Sequence, residues 1–373
     1  MSSMNLVQST TNELYFVGFN QDSGCFACGT DTGFIIYNCD PFKETFRRTF
    51  SNGGIGCVEM LFRCNILALV GGGHNPRYPP NRVMIWDDHQ SRSIGELCYR
   101  SDVKAVRLRR DKIVVVLAYK IYVYNFADLK IIDSIDTANN DRGICAFSPD
   151  SKSTVLACPG TQVGHVRLEL YEQKKTTLIP AHETALSCVA LSYDGSKLAT
   201  ASEKGTLVRV FDSYSGQLLQ ELRRGADRAE IYSIAFSRNS EWLAVSSDKG
   251  TVHVFKLDVN GGSQGSGGGA PYAGQRGGAG GAVSDENQRK GNPTSSFSFL
   301  SSLLPKYFSS QWSFSQFRVP EVRSIVAFGS EPNSIIVVCA NGGFYKALFD
   351  PEKPGVECTQ ESFVDFLRRP DEE

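Results

Sequence analysis

Apolar and polar positions alternate along most of this chain in short runs, separated by turn residues. The stretch Cys188 to Leu222 (CVALSYDGSKLATASEKGTLVRVFDSYSGQLLQEL) is repeated in outline by Ser233 to Asp258 (SIAFSRNSEWLAVSSDKGTVHVFKLD). Their turn glycines, Gly205 and Gly250, stand 45 positions apart. Fainter copies are FVGFNQDSGCFACGTDTGFIIYN, GICAFSPDSKSTVLAC and SIVAFGSEPNSIIVVCANGGFYKALF. Each copy runs apolar strand, polar turn, apolar strand, Gly-containing turn, apolar strand. Period-two alternation of Val, Ile, Phe and Tyr is the mark of half-buried strands. Three or four such strands every 40 to 45 residues is the sequence form of a β-propeller blade. A WD dipeptide, Trp86-Asp87, falls where a third blade strand should end.

One segment breaks the period. Residues 259–310 interrupt the strands, and Gly261 to Gly281 alone holds 11 of the 35 glycines. Such a stretch buries too little apolar area to offset its backbone entropy, so a flexible loop is expected. The remainder, about 320 residues, has room for seven repeats of this length. The pattern therefore predicts an all-β chain: one seven-bladed, WD40-like β-propeller over residues 13–368. Its blades would begin near Glu13, Ile55, Val103, Asp141, His182, Glu230 and Glu321, with the insert between the third and fourth strands of blade six.

Composition narrows the function. Among 373 residues, 39 Lys+Arg stand against 40 Asp+Glu, a net charge of −1, which argues against nucleic-acid binding through a broad basic field. No run approaches the roughly 18 apolar residues that span a bilayer. Met1 to Thr11 is polar, without the apolar core of a secretory signal. The 11 cysteines sit mostly in apolar runs, as in GICAF and LSCVAL, and are expected to be reduced and structural. A monomeric cytoplasmic protein is expected. Cys25-Phe26-Ala27-Cys28 is a lone CxxC with no second pair at metal spacing, so no metal is expected. Gly71-Gly72-Gly73 lacks the Gly-Lys-Ser/Thr ending of a P-loop. Neither HExxH nor GxSxG occurs. No cofactor is indicated, and nothing points to catalysis.

The chemistry-bearing cluster lies in blades five and six. Blade five offers Thr200, Ser202, Lys204, Thr206 and Arg209; blade six offers Ser246, Ser247, Lys249, Thr251 and His253. Between them stands Leu222-Arg223-Arg224-Gly225. Neighbouring strand side chains point to opposite faces, so Arg223 and Arg224 should each serve a different blade's hydroxyls. Guanidinium forks suit phosphate oxygens, hydroxyls and Lys complete such a cradle, and Gly225 would let backbone approach a ligand. The same hydroxyls also suit internal blade hydrogen bonds, and the arginines suit local carboxylates. Residues 181–260 carry nine Lys+Arg against ten Asp+Glu, so no regional field favours an anion. Arg228 is a weaker candidate, because Asp227 and Glu230 flank it.

LATASEKGTLVRVFDSYSGQLLQELRRG and SSDKGTVHVFKL, together with ALVGGGHNPRYPPNRVMIWDD in blade two, resemble the PROPPIN family of WD-repeat phosphoinositide effectors of autophagy. That family carries a Phe/Leu-Arg-Arg-Gly motif on a seven-bladed propeller, and this chain has the Leu form. The resemblance implies two sites for phosphatidylinositol 3-phosphate and 3,5-bisphosphate. The first would use His182, Thr200, Ser202, Lys204, Thr206, Arg209 and Arg223. The second would use Arg224, Ser247, Lys249, Thr251 and His253. It also implies that the insert enters membranes through the apolar cluster Phe297, Phe299, Leu300, Leu303, Leu304, Tyr307 and Phe308. The implied role is a non-enzymatic adaptor in autophagosome formation on phagophore (preautophagosomal) and endosomal or vacuolar membranes. Its implied partner is the family's large lipid-transfer protein, docking on blades one to three; Asn20 and Asp22, in the FNQD turn, are the exposed candidates for that contact. A protein-only scaffold gripping acidic peptides is the rival reading.

Overall fold

The computed structural model describes residues 3–6, 14–258, 291–293 and 310–368. Among the described residues the strands form seven sheets, one per blade, each built on four antiparallel strands ordered inner to outer; a fifth strand is added at the inner edge of blade one and, running parallel, at the outer edge of blade five. The first strands of the blades are Leu14–Phe19, Ile55–Met60, Ala105–Leu108, Ala146–Phe147, Leu186–Leu191, Ile231–Phe236 and Ser324–Phe328. The seven-bladed all-β propeller read from the repeat is the observed fold. The WD dipeptide ends the third strand of blade two, Arg82–Asp87, and Asp87 Oδ1 accepts from Asn65 and the His89 and Gln90 amides to fix the following turn.

Burial explains the pattern. Second strands such as Trp242–Ser247 and Ser334–Cys339 are buried on both faces, whereas outer strands such as Ile131–Asp136 are mostly exposed and bury little beyond one residue, here Ile135. The core is divided into clusters between blades: Leu198 and Phe211 pack toward blade four, while Val208 and Leu222 pack with Val245 and Phe255 of blade six. Blade five therefore has one face toward each neighbour.

The ring closes without strand exchange, since the outer strand of blade seven is its own Thr359–Asp365. Aromatic packing joins the first and last blades. Fully buried Phe26 stacks on Tyr37 at 5.1 Å and on Phe344 at 6.0 Å. Lys346 adds ion pairs to Asp40 of blade one (3.2 Å) and to Glu331 (2.8 Å) and Glu361 (3.0 Å) of blade seven. On the channel side, Ser3–Asn5 adds a fifth strand against Leu14–Phe19. Glu59 and Arg107, both buried, face each other there at 3.8 Å, and burial pushes the Glu59 carboxyl up to about 7.

Candidate functional site

Register assembles the first set of residues. Thr200 pairs with Arg209 and Arg209 with Glu221, so one row crosses the second, third and outer strands of blade five. Leu207 pairs with Arg223, which puts Arg223 on the same face two residues beyond Glu221. His182 enters from the connection out of blade four, its amide held by the Gly164 carbonyl at 3.0 Å. Its Nε2 lies 2.9 Å from Thr200 Oγ1. Burial, with the Arg209 charge second, pulls the His182 imidazole down to about 4, so it is neutral at pH 7. Arg209 donates from Nε to Glu221 Oε2 (2.9 Å) and from Nη1 to the Ala181 carbonyl (2.6 Å). Ser202 is buried at the end of its strand, Thr206 is half-buried, and exposed Lys204 pairs with Glu183 at 3.2 Å.

The second set is built on blade six. Val245 pairs with His253 as Thr200 pairs with Arg209, so His253 occupies the place of Arg209 (VHVF against VRVF). The turn before it is one residue shorter, which hides this equivalence from a fixed 45-residue offset. Ser247 is buried and accepts from the Lys249 amide at 3.5 Å; Thr251 Oγ1 donates to the Lys249 carbonyl at 3.4 Å. Lys249 lies 3.5 Å from Asp248. Burial, then the Arg224 charge, holds His253 down at about 4. Among the described residues its buried Nδ1 has no hydrogen-bond partner.

The paired arginines do part as strand alternation requires. Arg223 shares the Arg209–Glu221 face, whereas Arg224 acts electrostatically on His253 and on Asp248 of blade six. Arg224 Nε donates to the Gly205 carbonyl at 3.1 Å, Nη2 donates to the Asp227 carbonyl, and its amide donates to Thr206 O at 3.0 Å. Both side chains are only 7% exposed, so they are built into the wall rather than laid on the surface. Gly205 and Gly250 both adopt φ of +62°, and a Cβ at Gly205 would meet the Ala229 carbonyl at 1.8 Å. A Cβ at Gly225 would meet nothing within 4 Å, so internal packing does not demand glycine there.

Other expectations meet a different fate. Asn20 is buried, not exposed: it donates to the Phe62 carbonyl (3.2 Å) and accepts from the Cys25 amide (3.1 Å), tying blade one to blade two. Asp22 is exposed as expected, but caps the Gly24 amide at 3.0 Å and lies 3.9 Å from Arg63. Ser246, counted with the blade-six hydroxyls, turns inward to the Ser324 carbonyl at 3.0 Å. Arg228 was discounted for its acidic neighbours, yet Glu230 pairs with Arg142 and Arg323 instead. Arg228 is exposed beside a cleft of about 450 Å³ that Arg142, Glu203 and Asp248 also line. Phe297, Phe299, Leu300, Leu303, Leu304, Tyr307 and Phe308 lie outside the described residues. The carboxylates facing the cations, Glu221, Glu183 and Asp248, were missed by sequence reasoning; Glu221 was signalled only by standing two residues before Arg223.

The fold defines a WD-type seven-bladed propeller, and its register places two similar sets of basic and hydroxyl-bearing residues on adjacent blades. A model of the PROPPIN family matches residues 13–277, and the chain belongs to that family. It is 41% identical to Autophagy-related protein 18e of Arabidopsis thaliana, over 90% of this chain and 83% of the relative. With Autophagy-related protein 18 of Yarrowia lipolytica it shares 34% identity over 93% and 95% of the two chains. Kluyveromyces lactis Hsv2, solved with a complete loop 6CD, superposes with a TM-score of 0.70 at 25% identity, covering 94% of this chain and 98% of that one. KlAtg21, solved in complex with the coiled-coil of AgAtg16, shares the fold at a TM-score of 0.72 and 23% identity, over 95% and 100% of the chains. Membership of this autophagy-related, scaffold-type family gives the chain a role in autophagy.

Proposed function

We propose that the chain is a phosphoinositide-dependent membrane adaptor of autophagy. It would hold phosphatidylinositol 3-phosphate and 3,5-bisphosphate in two neighbouring pockets and recruit partner proteins. The observation that carries this reading is the divergence of two nearly buried arginines into two similar sets. Arg223 lies on the face of Thr200 and Arg209, to which His182 is bonded through Thr200; Arg224 acts on His253 and Asp248 of blade six, the blade that also carries Ser247 and Thr251. A peptide scaffold has no need to duplicate such a set on adjacent blades.

Each headgroup alone would be weakly held, by about 1 kcal/mol per basic residue from the surface potential. Two pockets on one rim meet the same membrane, so the second contact becomes effectively intramolecular. The apolar cluster from Phe297 to Phe308 would add membrane contact, at roughly 1.5 to 3 kcal/mol per side chain buried before ordering costs. The protein would then be cytoplasmic and drawn to phagophore and endosomal or vacuolar membranes. There it would bring in a large lipid-transfer protein.

Liposome co-sedimentation with and without phosphatidylinositol 3-phosphate tests this reading. Wild type should bind only the phosphoinositide-containing vesicles. Arg223→Thr/Arg224→Thr, shown folded by its melting curve, should lose at least about 100-fold in affinity. Binding that ignores the lipid, or a folded double variant that binds normally, would favour the protein-only scaffold that grips acidic peptides.

A further inference from the structure

The chain leaves blade six after Asp258 and is described again at Gly291–Pro293 and from Ser310 onward. These stem residues are fastened to the outer edge of blade five. Gln311–Trp312 runs parallel to Leu218–Arg223, with Gln311 opposite Leu222 and Trp312 opposite Arg223. Side-chain amides clasp the same place. Gln220 Nε2 donates to Gln311 Oε1 at 3.0 Å, and Gln220 Oε1 accepts from the Asp258 amide at 2.9 Å. Asn292 Nδ2 donates to Gln311 Oε1 (2.8 Å) and to the Lys256 carbonyl (2.6 Å), and Trp312 N donates to Pro293 O (2.9 Å).

One contact joins this clasp to the first pocket. Ser310 Oγ donates to Glu221 Oε1 at 2.9 Å, while Glu221 Oε2 accepts from Arg209 Nε at 2.9 Å. A single carboxylate therefore bridges the pocket's arginine and the stem. An anion that engages Arg209 meets a guanidinium whose Nε and Nη1 are already committed, to Glu221 and to the Ala181 carbonyl. Phosphate and carboxylate compete for that cation, and two anions that close repel each other. Turning Glu221 off Arg209 also turns Oε1 away from Ser310.

We propose that Glu221 is a positioning residue that couples the two: phosphomonoester binding at Arg209 loosens the hold of blade five on the Ser310–Trp312 stem. Such coupling is reciprocal, so loosening the stem strengthens phosphate binding by the same factor. The inference rests on the reading of the first pocket as a headgroup site.

The test titrates the full chain with soluble inositol 1,3-bisphosphate by calorimetry and follows hydrogen exchange of the Ser310–Ser313 amides. Saturation should raise exchange across the Ser310–Ser313 amides about 10-fold in wild type. Glu221→Gln, which keeps the shape and removes the charge, should bind headgroup about 3- to 10-fold more tightly. Its stem, still within hydrogen-bond reach of the carboxamide, should no longer respond to headgroup; Ser310→Ala, which deletes the bridging hydroxyl, should exchange faster from the start and bind headgroup slightly more tightly. Headgroup binding with no stem response, or weaker binding by a folded Glu221→Gln, would overturn the coupling while leaving the pocket intact. No headgroup binding to wild type would overturn both the coupling and the pocket. Inorganic phosphate at the same concentration should leave the stem unmoved, and an equal response to it would overturn the assignment to a lipid headgroup.

Discussion

Blade five and blade six present the same scaffold with different internal wiring. In blade five the cation at the centre of the third strand, Arg209, is neutralised by Glu221, and His182 is bonded to Thr200. In blade six the equivalent residue is His253, with a buried ring nitrogen that nothing among the described residues satisfies. Buried polar atoms in folded proteins are normally paired with protein or water, so His253 Nδ1 is open to a water or a ligand. On the proposed reading, the first set would exchange the Arg209–Glu221 bond for a ligand, whereas the second would offer His253 Nδ1 directly. Two sets that look alike as strings of hydroxyls and basic residues should therefore differ in cost of occupation and in response to mutation.

The largest effect expected is loss of one pocket at a time. Arg224→Thr should remove the blade-six pocket and Arg223→Thr the blade-five pocket, each lowering vesicle affinity by about 10- to 100-fold, since hydrogen bonds to charged groups contribute about 1.5 to 3 kcal/mol. Co-sedimentation of the single variants measures this, and equal retention of binding by both would break the two-pocket comparison.

Next come the histidines. His253→Phe should cost stability less than about 1 kcal/mol, because no internal bond to Nδ1 is lost, yet weaken headgroup binding about 10-fold. His182→Phe removes the partner of Thr200 and should destabilise by about 1 to 3 kcal/mol in urea unfolding. A larger stability loss at His253 than at His182 would reverse the assignment of ligand-facing and fold-facing roles.

Acid should act on both histidines. Their folded pKa values, about 4, lie below the ordinary 6.5, so the unfolded chain binds the extra protons. Their contribution to stability is complete above pH 6.5 and is lost as pH falls toward 4. Between pH 7 and pH 5 each should contribute a loss of about 2 kcal/mol. Urea unfolding at pH 5, 6 and 7 should show a shallower slope in His253→Phe than in wild type; an unchanged slope would mean that His253 does not stay neutral in the folded state.

The smallest effects belong to the turn lysines. Lys204 and Lys249 are half-exposed and paired with Glu183 and Asp248, interactions worth little in water. Lys204→Ala or Lys249→Ala should reduce vesicle binding about 2- to 5-fold, more at low salt than at high. A loss as large as that of the arginine variants would move the centre of the site to the turns.

Much of this was legible in the chain itself. The Gly205 and Gly250 turns, the strand alternation and the WD dipeptide carried the propeller, because a blade is a local unit whose periodicity needs no distant information. The divergence of Arg223 and Arg224 followed from strand geometry alone. What stayed hidden depends on neighbours in space. Asn20 looked exposed in a polar turn, but that turn folds against blade two, where the amide satisfies backbone groups. The fourth blade was faint because its inner strand is only Ala146–Phe147. Arg228 kept its charge clear of Glu230 only because Arg142 and Arg323, far away in sequence, took that carboxylate. The equivalence of Arg209 and His253 was masked by a one-residue difference between turns, and the stem's attachment to blade five crosses some ninety positions from Glu221 to Ser310.

The central claim, two pockets divided by two arginines, is tested most directly by the stoichiometry of soluble inositol 1,3-bisphosphate binding in calorimetry. Wild type should take up two molecules per chain, and Arg223→Thr and Arg224→Thr one each. A single site in wild type, or two sites surviving in either folded variant, would contradict it.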